Sequence, residues 1–174
     1  MNETLVTIAL AGVAIYFSVL ILGGVVRYWR FRKIRSTALV TWPGPKPAHF
    51  RLLLALGGLA AAVAVLNITH RFDKVYSQLS IAFYFTFILP LLTRIPFGFY
   101  SEGVWAEHGF VPYSRIRRLS FREGPELVLL LLPADGSRAF RLPVPPAEYG
   151  AVRRVLGDKI RSRVLNLEGS ILGL

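Results

Sequence analysis

Three long apolar runs open the chain, and shorter alternating segments follow. Thr4 to Val26 carries no charge. As a helix rising about 1.5 Å per residue, such a run crosses a hydrocarbon core of about 30 Å. It begins Met1-Asn2-Glu3, not on a basic region, and is too long for a secretory leader, so a retained anchor is expected. Leu52 to Ile68 is a second uncharged run, short for a span but bracketed by Arg51 and Arg71, whose stems can snorkel. Val75 to Thr93 is a third, rich in aromatics (Tyr76, Phe83, Tyr84, Phe85, Phe87). Pro90 should kink it or loosen its last turn. Only Thr69 to Lys74 separates the last two runs, which makes them antiparallel neighbours.

From about Phe97 the pattern shortens. Tyr100–Ala106 and Phe110–Tyr113 read as strands around the turn Glu107-His108-Gly109. Ile116–Arg122 sets Ile116, Leu119 and Phe121 against Arg117, Arg118 and Arg122. The unbroken leucines of Glu126–Leu132 predict a buried strand, Ala134-Asp135-Gly136-Ser137 a turn, and Ala139–Val144 the returning strand. Pro145-Pro146 then opens a helix from Ala147 to about Arg163. Tyr149, Val152, Val155, Leu156, Ile160 and Val164 fall at helical spacing, and Glu148 suits the positive end. The expected fold is an α-helical membrane protein with three transmembrane helices over residues 1–96, including a basic linker at 27–51. A small α+β domain at 97–174 completes it, an antiparallel sheet closed by a C-terminal helix.

Charge supplies an orientation. Of 174 residues, 21 are Lys or Arg and 10 are Asp or Glu, a net charge of +11, while charged residues make up only 18%. Soluble domains carry about 25%. Basicity on so apolar a chain points first to an anionic membrane surface. Nucleic acid is not an expected partner, since neither aromatic platforms nor groove-reading elements are present. Arg27, Arg30, Arg32, Lys33, Arg35, Lys46 and Arg51 crowd the first linker without an acid among them. That linker should be cytoplasmic, with the N-terminus and hairpin tip outside and the C-terminal domain inside. Trp29 and Trp42 fit an interfacial aromatic belt, and Trp42-Pro43-Gly44-Pro45-Lys46-Pro47 reads as a stiff turn along the membrane.

Candidate chemistry is sparse. The chain has no cysteine, which excludes disulfides, thiolate metal sites and thiol catalysis. Phosphate loops, paired metal-binding histidines and a serine elbow are also missing. The uncharged runs hold no ionisable Asp, Glu, Lys, Arg or His, which argues against ion or proton transport. No catalytic residue, metal site or enzyme activity is expected. His49 and His70 flank the second span at opposite faces, and His108 falls in a turn. His49 or His70 could be an axial ligand to a haem or pigment held by a neighbouring subunit, or simply an interfacial polar residue; no cofactor of the chain's own is expected. Gly23, Gly24, Gly57 and Gly58 read as helix-packing positions. The juxtamembrane set Arg27, Arg30, Arg32, Lys33 and Arg35 sets topology or binds anionic headgroups at about 1 kcal/mol per cation. A second set, Arg115, Arg117, Arg118 and Arg122, could meet lipid phosphates, an acidic partner surface or solvent alone.

A resemblance enters with Glu102-Gly103-Val104-Trp105 and Gly109-Phe110-Val111-Pro112-Tyr113-Ser114-Arg115-Ile116. A leucine strand, a turn, a short strand ending in prolines and a helix follow. This order resembles the C-terminal module of small bacterial membrane proteins of unknown function, in which transmembrane helices precede a pleckstrin-homology-like domain. Tyr113 stands where those proteins usually carry Trp, and Ile116 keeps its place. The likeness covers about Gly98 to Ile160. It implies a PH-like sheet and a bacterial cytoplasmic membrane, and it brings no reaction. The expected function is a non-catalytic accessory subunit of a larger membrane complex, with respiratory and photosynthetic electron-transfer complexes as candidate hosts. The alternative is a stand-alone module that binds anionic lipid through the PH-like domain.

Overall fold

The computed structural model describes residues 3–68, 75–107, 109–122, 127–136 and 138–165. Three helical stretches are long and apolar enough to cross a membrane. Helix α1 spans Glu3–Ile34 and runs on through Arg27, Arg30 and Lys33, because no helix breaker follows Val26. It tightens into a single 3₁₀ turn at Arg35–Thr37, where the Thr37 hydroxyl donates to the Ile34 carbonyl at 2.8 Å. Helix α2, Phe50–Asn67, starts behind His49. His49 takes the left-handed conformation at φ 59°, and its carbonyl accepts the Leu53 N–H at 3.0 Å.

The third stretch joins α3 (Val75–Phe83), a π turn (Tyr84–Ile88) and α4 (Leu89–Thr93). Pro90 has no N–H to offer the carbonyl of Thr86 four residues back. The backbone answers by widening ahead of the proline, and Leu89 N–H donates to the Tyr84 carbonyl five residues earlier. The irregularity expected at the end of this helix thus lies mostly before Pro90. Asn67 at the end of α2 donates to Gln78 near the start of α3 at 3.3 Å, as an antiparallel pair requires.

The chain divides into two compact units, and the second is not continuous in sequence. One holds the helices up to Arg30 and from Pro45 to Arg94. The other joins Phe31–Gly44 to the chain from Ile95 onward. The middle of the expected linker is therefore part of the sheet unit. Its strand β1, Ala38–Trp42, pairs antiparallel with β2, Phe97–Tyr100, matching Trp42 to Phe97 and Thr41 to Gly98. The sheet continues through β3 (Gly103–Ala106) and β4 (Gly109–Pro112) in the order β1-β2-β3-β4. A second antiparallel sheet holds β5 (Ile116–Arg122), β6 (Leu127–Pro133) and β7 (Phe140–Val144) in sequence order. Helix α5, Tyr149–Arg161, follows.

The single strand expected over Tyr100–Ala106 is in fact two, broken by Ser101-Glu102. Both carbonyl and amide groups at this turn have partners: Ser101 N–H donates to Thr37, and the Glu102 carbonyl accepts from Tyr113, each at 3.0 Å. Two glycines let the strands approach. Gly98 sits at φ +149°, where a Cβ would run into the Val40 carbonyl and come within 2.8 Å of Thr41 Cα. At Gly103 a Cβ would collide with the Val111 carbonyl across β4.

Phe99, Tyr100, Trp105, Leu129, Leu131, Leu142, Val152 and Leu156 make up the innermost core of this unit. Trp42 belongs with them and not to an aromatic belt. It is 5% exposed, and its indole N–H donates to the Pro143 carbonyl at 2.8 Å, linking β1 of one sheet to β7 of the other. Phe31, carried on the end of α1, packs edge-on against Trp105 at 5.7 Å. Lys159 of α5 donates to the Ser101 carbonyl at 2.9 Å and lies 5.2 Å from the centre of the Tyr113 ring. Trp29, by contrast, is exposed, as an interfacial residue would be.

Tyr113 is buried and its hydroxyl donates to the Tyr100 carbonyl at 2.8 Å. Burial raises the Tyr100 phenol to about 12 and the Tyr113 phenol further. An unfolded phenol titrates near about 10. Above that pH the unfolded chain gives up protons that the folded chain retains, so stability is full below about 10 and falls as pH rises through the window up to about 12. The Tyr113→Phe variant should be about 1 kcal/mol less stable at neutral pH, having lost one hydrogen bond. It should also lose less stability between neutral and strongly alkaline pH than the parent. Thermal melts across that range check both signs.

Candidate functional site

The packing glycines separate into two classes. A Cβ on Gly57 would stand 2.8 Å from Phe85 Cβ and 3.0 Å from Thr86 Cγ2, both in the π turn. One on Gly24 would meet Ile88 Cγ2 at 2.5 Å and Leu92 Cδ1 at 3.5 Å. Both helices thus use a glycine to admit the wide turn, and Phe17 of α1 adds edge contacts to Tyr84 and Phe85 at 5.5 and 5.7 Å. Gly23 and Gly58 behave differently, with nothing among the described residues within 4 Å of the Cβ position. Adjacent helix positions lie about 100° apart, so a pair of neighbouring glycines cannot serve one contact.

The juxtamembrane cations are also unequal. Arg27 is half-buried and engaged, whereas Arg30, Arg32, Lys33 and Arg35 are exposed. Where α1 meets α3, an apolar cavity of about 290 Å³ is lined by Thr7, Ala11, Ala14, Tyr76 and Ser77. His49 is exposed at the head of α2 and lines neither this cavity nor the groove on α5. His70 and His108 lie outside the described residues. Among the described residues no group of three His, Asp or Glu could hold a metal ion.

On the second unit, the four arginines singled out from sequence do not act as one cluster. Arg115 is ion-paired with Asp135 on an exposed surface, a contact worth under about 1 kcal/mol. A β-bulge between Ile116 and Arg118 interrupts the alternation of β5, so Arg117 and Arg118 are both exposed. Arg122 pairs with Val128.

Strand β6 differs from the expected buried strand. Leu129 and Leu131 are fully buried, but Val128 and Leu130 are only half-buried and Leu132 is 37% exposed. Unbroken leucines on a strand with one covered face leave every second one outward. Cross-strand register sets Arg118 beside Leu132, and sets Leu130 between Ser120 and Arg141. Arg141 was missed by sequence reading, since only the pairing of β6 with β7 brings it to this face. Three more arginines, Arg153, Arg154 and Arg161, line a shallow groove of about 560 Å³ along α5, with Gly150 and Gly157 between them. Asp158 lines the same groove, and Arg153 and Arg161 stand at i and i+8 along the helix, a spacing readable from the sequence.

No family model, curated protein or solved structure matches the chain.

Proposed function

We propose that the chain is a non-catalytic accessory subunit of a larger membrane protein complex in a bacterial cytoplasmic membrane. Its three helices span the bilayer with the N-terminus outside, and its sheet unit lies on the cytoplasmic side. The observation that carries this reading is the split among the glycines. Gly24 and Gly57 are consumed by packing within the chain, while Gly23 and Gly58 keep small, open faces on two span-capable helices. In lipid, such faces let a further helix approach closely. The arginines along α5, Arg153, Arg154 and Arg161, support an acidic docking partner in the same sense. The PH-like reading of this unit is supported by its order of elements: the β3–β4 hairpin, a leucine strand, a short strand ending at prolines and a closing helix. Respiratory and photosynthetic electron-transfer complexes are the proposed hosts. There the exposed imidazole of His49 would be open to a haem or pigment of a neighbouring subunit.

The test is a chain carrying Gly23→Leu and Gly58→Leu together. It should melt no lower than the parent in detergent yet run as the free chain, while the parent runs in a larger assembly. A double variant that stays in the assembly would overturn the role given to these faces.

A further inference from the structure

The outward face of the β5-β6-β7 sheet is built unlike a solvated one. Its middle strand presents Val128, Leu130 and Leu132 in a row, where alternation would normally place polar side chains on the solvent face. On one side Arg118 stands beside Leu132 and Ser120 beside Leu130. On the other Arg141 stands beside Leu130 and Pro143 beside Val128. Arg118 and Arg141 are exposed, and among the described residues neither side chain has an acidic partner. No Asp or Glu occupies any outward position of the three strands. The result is an apolar ridge between two cationic borders.

We propose that this face is a membrane-contact surface, which lays Leu130 and Leu132 into the headgroup boundary of an anionic bilayer while Arg118 and Arg141 meet lipid phosphates. Two observations choose lipid over an acidic protein. Cations flanking exposed leucines match the amphipathic pattern of interfacial segments, with charge toward headgroups and apolar side chains toward acyl chains. The sheet unit is also leashed closely to the span-capable helices. Only Arg94, Ile95 and Pro96 separate the end of α4 from β2, and residues 43–49 separate β1 from α2. Three extended residues reach about 10 Å, so the unit stays within reach of the bilayer surface and the local lipid concentration is always high. The contact concerns Arg118 and Arg141, whereas Arg115 is held by Asp135. It goes beyond the subunit role and does not rest on it.

The absence of native cysteine gives a clean test. The full chain with Leu132→Cys, or separately Leu130→Cys, is labelled with an environment-sensitive fluorophore. It is reconstituted in phosphatidylcholine vesicles with and without phosphatidylglycerol, and a lipid-borne quencher is then added. The expected result is quenching in the anionic vesicles that falls to the aqueous level without phosphatidylglycerol and on adding Arg118→Glu with Arg141→Glu. Each arginine removed should weaken the contact about fivefold. A label that stays water-exposed in both vesicles overturns the proposal. So does a label shielded from water but not reached by the lipid quencher, which would mean a protein covers the face. Equal quenching in both vesicles overturns it too, because the arginines would then contribute nothing.

Discussion

A fragment beginning at residue 97 will fail to fold, and adding the segment 31–44 will restore it. The reason is the strand borrowed from between the first two helices. Without β1, the edge of β2 from Phe97 to Tyr100 loses its ladder partners. Phe31 and Trp42, 6% and 5% exposed, vanish from the core, and Trp105 and Phe99 lose the rings packed on them. Burying one large aromatic contributes on the order of 3 kcal/mol or more. Two of them, with the Trp42 hydrogen bond to Pro143 and a bare sheet edge, approach the about 5–15 kcal/mol that holds a whole domain. The fragment 97–174 should be aggregated or lack near-ultraviolet dichroism. Joining 31–44 to it through a flexible linker should give a cooperative melt. A stable, cooperative fragment without that segment would contradict the pairing of β1 with β2.

Gly57→Leu should destabilise the helical unit, while Gly58→Leu should not. At position 57 even a Cβ presses on Phe85 and on Thr86, and both belong to a π turn that Pro90 leaves little room to relax. Overpacking of this kind costs about 1–3 kcal/mol. At position 58 the Cβ direction is open, and replacing a helical glycine tends to help by about 0.5–1 kcal/mol. Melting of both variants in the same detergent, at matched concentration, gives the ordering. Equal melting temperatures would mean that the π turn does not rest on Gly57.

Local signals were legible where one element decides its own fate. An uncharged run needs no partner to declare itself, so each apolar run marks a span-capable helix, closely matched for the second and third and overrun by the first. The same holds for α5, whose buried Val152 and Leu156 lie on the face that spacing picks out. The returning strand β7 and the hairpin of β3 and β4 also follow local turn chemistry. What escaped was decided by distant partners. Ala38-Leu39-Val40-Thr41-Trp42 has the β-branched and aromatic content of a strand, bounded by Pro43, yet its position between two spans made it a linker. Its partner β2 lies far along the chain, and nothing local announces that pairing. Likewise, leucines in a row mark a strand but not its covered face. Only the register of β6 with its neighbours shows that Leu130 and Leu132 lie outward among arginines. The glycine pairs were recognised as packing positions, but adjacency alone does not say which member faces inward. The contacts assign that to Gly24 and Gly57.

The central claim, membership of a larger membrane complex, is tested most directly by gentle solubilisation of native membranes followed by size separation and mass spectrometry of the co-migrating bands. The chain is expected in a band far heavier than 19.4 kDa together with other membrane subunits. The absorbance of that band would report any haem or pigment carried by its neighbours. Migration as a free, monodisperse chain would contradict the claim.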